Sequence, residues 1–229
     1  MKKLHLLMLI TFLMIFLTQG WSAGAIAITT KVRGTVSLKR SGETKFKPNV
    51  KLGELIFNND HLKTGKDGYA ALVFIDDKSL IKIWENSEMI VSRSSVKKTI
   101  SKRISMQIGT LKAEVSPQRK GEFVIATPTS VASVKGTTFW VIIDPVLGDI
   151  FYGISGEVEV KNNESDAVIV VGANETGTST PDGQVNVEQT LEGSVPVDEE
   201  DQGGEDSNIL KIQMRNKQGD VKDIIIEYK

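Results

Sequence analysis

From about residue 26 onward, hydrophobic and polar positions alternate with a period of two rather than three to four. Short runs of this kind cover Val32 to Leu38, Tyr69 to Ile75, Leu80 to Trp84 and Ile104 to Ile108. Others cover Leu111 to Val115, Phe123 to Ala126, Phe139 to Ile143 and Val158 to Val160. β-branched residues are frequent in them. Turn sequences such as Lys66-Asp67-Gly68 and Pro181-Asp182-Gly183 separate them. Period-two alternation between turn signals specifies strands with one face buried. The chain is therefore expected to be all-β.

A recurrence refines this. A Gly followed by Thr or Glu opens a run at Gly34-Thr35, Gly53-Glu54, Gly109-Thr110, Gly136-Thr137 and Gly156-Glu157. Recurrent Gly-led strands suit the corners of a coil that winds in one direction, but their spacing is uneven. A β-solenoid-like stack and a two-sheet stack of short strands both fit. Residues 134–139 carry the same question locally: Val134 and Phe139 belong to apolar runs, yet Lys135, Gly136 and Thr137 interrupt them. As a site, the break would offer backbone N–H groups to an anion or peptide. As a corner, Gly136 would take a conformation that side chains oppose. The corner is the favoured reading.

Two regions depart from the strand pattern. At the N-terminus, Lys2 and Lys3 precede an apolar stretch from Leu4 to Leu17, and Ala23-Gly24-Ala25 follows. This is the plan of a secretory signal, with a core short for a membrane span. Residues 1–25 are expected to be removed, leaving a periplasmic or secreted protein. Residues 188–206 hold eight acids and no Lys or Arg. They read as a solvated linker over 188–207, separating a β domain at 26–187 from a C-terminal hairpin at 208–229. In that hairpin, Leu210, Ile212 and Met214 alternate on one run, and Ile224, Ile226 and Tyr228 on the next.

Composition narrows the chemistry. Hydrophobic residues make up 40% and charged ones 25%, as in an ordinary folded domain. Net charge is −1, and about −3 without residues 1–25, which argues against a nucleic-acid binder. The chain has no Cys, so thiolate metal sites and disulfides are excluded. His61, beside Asn58, Asn59 and Asp60, is the one His beyond the leader. No second His or Cys completes a zinc site, and His61 is expected in a turn. No G-x-S-x-G motif occurs. Asp76-Asp77 and Asp144/Asp149 stand where runs end, as turn carboxylates do. No catalytic, metal or cofactor site is expected.

The segment from 93 to 120 is basic: Arg93, Lys97, Lys98, Lys102, Arg103, Lys112, Arg119 and Lys120 face one acid, Glu114. It is either a solvated sheet face or a patch for an envelope protein, an anionic envelope polymer or a membrane surface. Arg93, Lys97, Lys98, Lys102 and Arg103 are its candidate contacts. Oligomeric state is not encoded in any motif.

The ordered set Val32-Arg33-Gly34-Thr35-Val36, Asp60-His61-Leu62-Lys63-Thr64-Gly65, Tyr69 to Phe74, Gly109-Thr110-Leu111, Thr127-Pro128, Ala132 to Phe139 and Ser155 to Val160 resembles the FecR-type domain, named after the ferric-citrate regulator family. The resemblance spans roughly residues 30–187. It implies a β-solenoid-like domain outside the cytoplasmic membrane. Full-length regulators of the family add a cytoplasmic anti-sigma segment, a membrane helix and a receptor-contacting part. Here a leader stands where the membrane helix would be. The expectation is a free-standing exported version acting as a non-enzymatic binding or scaffolding module. The alternative is an envelope signalling component that senses a receptor or membrane partner. An envelope hydrolase is the third reading.

Overall fold

The structure is a computed structural model that describes residues 24–96, 99–118 and 121–198 and the strands at 209–215 and 221–227. The expected leader therefore lies outside the described residues up to residue 23, and Lys97, Lys98, Arg119, Lys120 and Tyr228 lie outside them too. Every described element is a strand. The first nine are β1 (Ala27–Arg33), β2 (Val36–Lys39), β3 (Lys47–Pro48), β4 (Leu55–Ile56), β5 (Asp60–Thr64), β6 (Tyr69–Phe74), β7 (Leu80–Ile83), β8 (Glu88–Val96) and β9 (Thr99–Glu114). Then come β10 (Phe123–Ala126), β11 (Ser130–Val134), β12 (Thr138–Asp144), β13 (Gly148–Ser155), β14 (Val158–Asn162), β15 (Val168–Val171), β16 (Glu175–Ser179) and β17 (Val185–Gln189).

These strands pair into two ladders that share β9. One runs β4-β1-β6-β7-β9-β12-β13-β16-β17. The other runs β3-β2-β5-β8-β9-β10-β11-β14-β15. Residues of β9 up to Ile108 pair with β8, and those from Gly109 pair with β7 and β12. All pairings are antiparallel except β9–β10. From β6 onward the chain adds hairpins to the two ladders: β6–β7 to the first, β8–β9 and β10–β11 to the second, then β12–β13, β14–β15 and β16–β17 alternately. The chain thus forms the two-sheet stack that the alternation allowed. The Gly-led starts are its crossings. Gly34, Gly53, Gly109, Gly136 and Gly156 each sit where the chain leaves one ladder for the other.

The inward residues of both ladders meet in one core. It includes Leu72, Phe74, Ile81 and Phe139 from the first ladder, and Leu62, Ile104, Phe123 and Val160 from the second. Ile26 is already buried in it at the start of the domain. Phe74 and Phe123 pack edge to face across the two ladders, with centroids 5.5 Å apart, a favoured aromatic geometry.

Chain packing divides the described residues into two units between Glu192 and Gly193. The boundary drawn after 187 falls inside β17, so Glu188 and Gln189 belong to the β domain. An alternating polar strand at a sheet edge is indistinguishable in sequence from a polar linker, which explains the misplacement. The C-terminal unit holds β18 (Ile209–Arg215) and β19 (Val221–Glu227), with Leu210 opposite Ile226 and Ile212 opposite Ile224.

Because Phe123 is fully buried and bridges the ladders, Phe123→Ala is expected to destabilise the β domain by about 3–5 kcal/mol, read from the shift of the urea midpoint. A change below about 1 kcal/mol would mean that the ladders do not depend on this contact.

Candidate binding surfaces

At residues 134–139 the chain turns. Val134 ends β11 in the second ladder, and Phe139, fully buried, enters the first on β12. Gly136 has φ of +89°, and a Cβ there would lie 3.1 Å from Pro117 Cα. The Thr137 hydroxyl donates to the Glu157 carbonyl at 2.9 Å, and the Thr137 carbonyl accepts from Val115 N–H at 2.9 Å. Gly156 crosses back beside it: a Cβ on Gly156 would stand 2.8 Å from the Gly136 carbonyl oxygen. Two chain crossings thus pass with no room for side chains between them, and the motif is a corner. A hollow of about 670 Å3 opens over it, lined by Lys135, Glu122, Glu157, Glu159, Ser133 and Val170. Three carboxylates against one ammonium make it unsuited to an anion.

The basic segment is not one patch. Arg103 points outward from the second ladder, since Ile104 and Met106 point into the core. Beyond Val91 on β8 and before Lys102 on β9 the two strands pair, among the described residues, only with each other, so residues 92–96 and 99–101 form a two-stranded arm. Asn58 and Asn59 brace its base: the Asn58 side chain accepts Arg93 N–H at 2.7 Å, and the Ser92 hydroxyl donates to Asn59 at 2.9 Å. Arg93, Arg103 and the carboxylate of Glu122 line a second hollow of about 380 Å3, with Ser92, Ser94, Ser101 and Asn59. Arg93 stands opposite Lys102 and so has the phase opposite to Arg103, which stands opposite Ser92. Lys97 and Lys98 fall between the two arm strands in sequence.

Lys102 differs from its neighbours. It is 1% exposed and points between the ladders, not outward. Its Nζ lies 3.0 Å from Asp76 and 2.6 Å from Asp77, in the turn between β6 and β7, and 5.4 Å from the Phe74 ring. Burial pushes the Asp77 carboxyl upward, but hydrogen bonds from Lys102, Gln118 and Ser79 outweigh it and hold its pKa below the usual value. Lys102 therefore ties one ladder to the other, and it leaves the list of surface contacts. The reason is parity: it shares the inward phase of Ile104. Lys112 goes elsewhere again, to the outer face of the first ladder. There its Nζ lies 5.8 Å from the Trp140 ring centroid, Trp140 packs on Trp84 at 4.4 Å, and Trp84 meets Tyr69 edge-on at 5.3 Å. Sequence reading missed this aromatic row. Trp140 alternates with the core residues Phe139 and Val141, but only strand register brings it beside Trp84.

His61 lies within β5, not in a turn; the turn is two residues earlier, at Asn59 with φ of +64°. Its Nε2 is 2.9 Å from Glu88 Oε1, and its ring meets Phe46 edge-on. Burial lowers its pKa despite Glu88. Among the described residues no group of three His or acidic side chains could hold a metal ion. Asp60 beside it is buried, pairs with Arg40 and accepts Phe57 N–H at 2.8 Å. The acid pairs separate too. Asp144 caps its own turn by accepting N–H groups of Val146 and Leu147. Asp149 is buried, accepts the Thr127 hydroxyl at 2.6 Å through Oδ2, and has its pKa raised by burial.

Residues 60–147 match the family model described as FecR protein. They are a FecR-type segment. It runs from β5 through β12 and the turn that follows, and strands on both sides of it complete the two ladders. No curated protein matches the chain. Two crystal structures of a protein from Parabacteroides distasonis described as a "putative anti-sigma factor" are similar to it at 16% identity, with TM-scores of 0.47 and 0.48. Each match takes in 57% of this chain and 59% of that one.

Two outcomes follow. Lys102→Gln leaves two carboxylates facing a partly buried gap, and a loss of about 2 kcal/mol or more is expected in urea unfolding. Arg103→Gln should stay within about 0.5 kcal/mol of the unsubstituted protein. Equal effects would mean that both lysine and arginine are surface groups.

The second concerns pH. The folded pKa of Asp149 lies above its unfolded value of 3.8. Stability contributed by the neutral acid is therefore full below that value and lost as pH rises through the folded pKa. The Tm of Asp149→Asn relative to the unsubstituted protein should climb as pH goes from acid to neutral. A difference independent of pH would show that Asp149 titrates normally.

Proposed function

We propose that this chain is an exported, non-enzymatic FecR-type binding module of the bacterial envelope, which meets an envelope protein or anionic envelope polymer through its β8–β9 arm. The observation that carries the reading is the arm itself. It extends past the sheet pairings, its base is braced by Asn58 and Asn59, and Arg93 and Arg103 are among the residues that line a hydroxyl-rich hollow, in which Glu122 is the one carboxylate. Guanidinium groups beside hydroxyls and amides suit carboxylate, phosphate or sulfate groups, which accept several hydrogen bonds at once. The non-enzymatic reading is supported by the fate of the acids: Asp76 and Asp77 hold Lys102, Asp144 holds its own turn, and Asp149 is buried. The FecR-type segment favours a narrower form of the same role, an envelope signalling component whose arm reads the state of a receptor or membrane partner.

The test is capture from envelope extract on the immobilised full chain. Binding should weaken as salt rises, because exposed charges are screened beyond about 8 Å at physiological ionic strength. Replacing Arg93, Lys97, Lys98 and Arg103 by Gln should abolish it, with the thermal transition kept. N-terminal sequencing of protein recovered from cells should begin near Ile26. Capture indifferent to both salt and the Gln substitutions would defeat the arm, and turnover of a polysaccharide or ester substrate would defeat the non-enzymatic reading.

A further inference from the structure

The two ends of the stack treat their edges differently. At one end, β3 and β4 are two residues each, and β3 carries Lys47 and Pro48. Short strands, Lys and Pro are the usual means of blunting a sheet edge against pairing with another chain. At the other end, the second ladder closes on β15, Val168-Ile169-Val170-Val171, which has no charge and no Pro. Its one ladder partner is β14.

The register shows which groups on β15 are unused. Asn162 N–H donates to the Ala167 carbonyl, so Asn162 and Ala167 are a hydrogen-bonded pair. Hydrogen-bonded and non-bonded pairs alternate along an antiparallel ladder. Val160–Ile169 and Val158–Val171 are then bonded pairs, whereas Val168 and Val170 turn their N–H and C=O groups away from β14. The next group of this phase, Gly172 N–H, is taken by the Glu175 carboxylate at 2.8 Å. Val168 and Val170 are left with four outward backbone groups, and their side chains are 54% and 49% exposed.

We propose that β15 pairs with β15 of a second copy of this chain, antiparallel, about a two-fold axis through Ile169. A two-fold axis there sets Val168 against the partner's Val170, and Val170 against the partner's Val168. Each of these is a bonded pair, so all four outward groups are used and none is left over. The pairing is isologous, the commonest kind in homodimers. The valines meet in pairs on the outer face. The inward side chain of Ile169, packed on the core, meets its twin, so the core runs through the axis. Across each rung the outer row reads Lys161, Val168, the partner's Val170 and the partner's Glu159. Lys161 and the partner's Glu159 stand three strand spacings apart, about 14 Å, so the junction itself brings only valines together on the outer face. The edge's own symmetry favours a second copy over a foreign peptide.

The test is mass by light scattering on the full chain across a dilution series. The unsubstituted protein should approach twice the chain mass at high concentration. Val170→Lys and Val168→Lys, both at half-exposed positions, should each hold the single-chain mass at the same concentrations with an unchanged circular dichroism spectrum. The natural absence of Cys allows a check of register. Val168→Cys combined with Val170→Cys should give a dimer linked by reducible disulfides. Either Cys alone would face its twin across a diagonal of about 7–8 Å, too far for ready closure. A single-chain mass at every concentration would overturn the proposal. So would a dimer that survives both Lys substitutions, as one built through residues 209–229 would, or a dimer that the paired cysteines fail to link.

Discussion

The constraint on which the rest of this structure depends is the repeated crossing between two ladders built at the same time. A chain that added every hairpin to one sheet would leave its apolar face to water. By alternating, each new hairpin finds the opposite face already waiting. The cost falls on the crossings, where one backbone must pass within contact distance of another. At residues 136 and 156 the two crossings nearly touch, with the Gly136 carbonyl where a Cβ on Gly156 would be. What reads in the sequence as a binding-loop pattern, Lys-Gly-Thr-Thr, is the shape of that passage.

Charge is distributed by the same alternation. Within 93–120, consecutive positives go to three different places. Arg103 goes to one outer face, Lys112 to the other, and Lys102 to the gap between the ladders, where Asp76 and Asp77 meet it. A run of charge along a strand is therefore a poor guide to a surface patch, since neighbouring side chains point in opposite directions. The arm is the exception. There β8 and β9 leave the core, and residues on both faces reach solvent. Arg93 is the basic group among the described residues that it carries.

The ends of the stack raise a different demand. Two facing sheets of this length have four edges, and each exposes unpaired backbone groups. The β3–β4 end meets the demand with short strands, Lys47 and Pro48; β15 meets it with neither. Stability of the β domain does not require that asymmetry, so it bears on association.

The sequence alone determined the all-β class, the corner role of the Gly-led starts and the C-terminal hairpin, because period-two alternation and turn residues are local signals. It also carried the FecR-type resemblance, through short motifs in a fixed order. It could not place Lys102, His61 or Trp140. Each sits in a strand whose two faces look alike until the register of the neighbouring strands is known. Nor could it tell that Glu188 and Gln189 belong to β17, since a polar edge strand and a polar linker have the same composition. Which groups are buried, which charges meet and which edge stays open were decided only when two ladders closed on one core, because those properties belong to pairs of strands far apart in the chain.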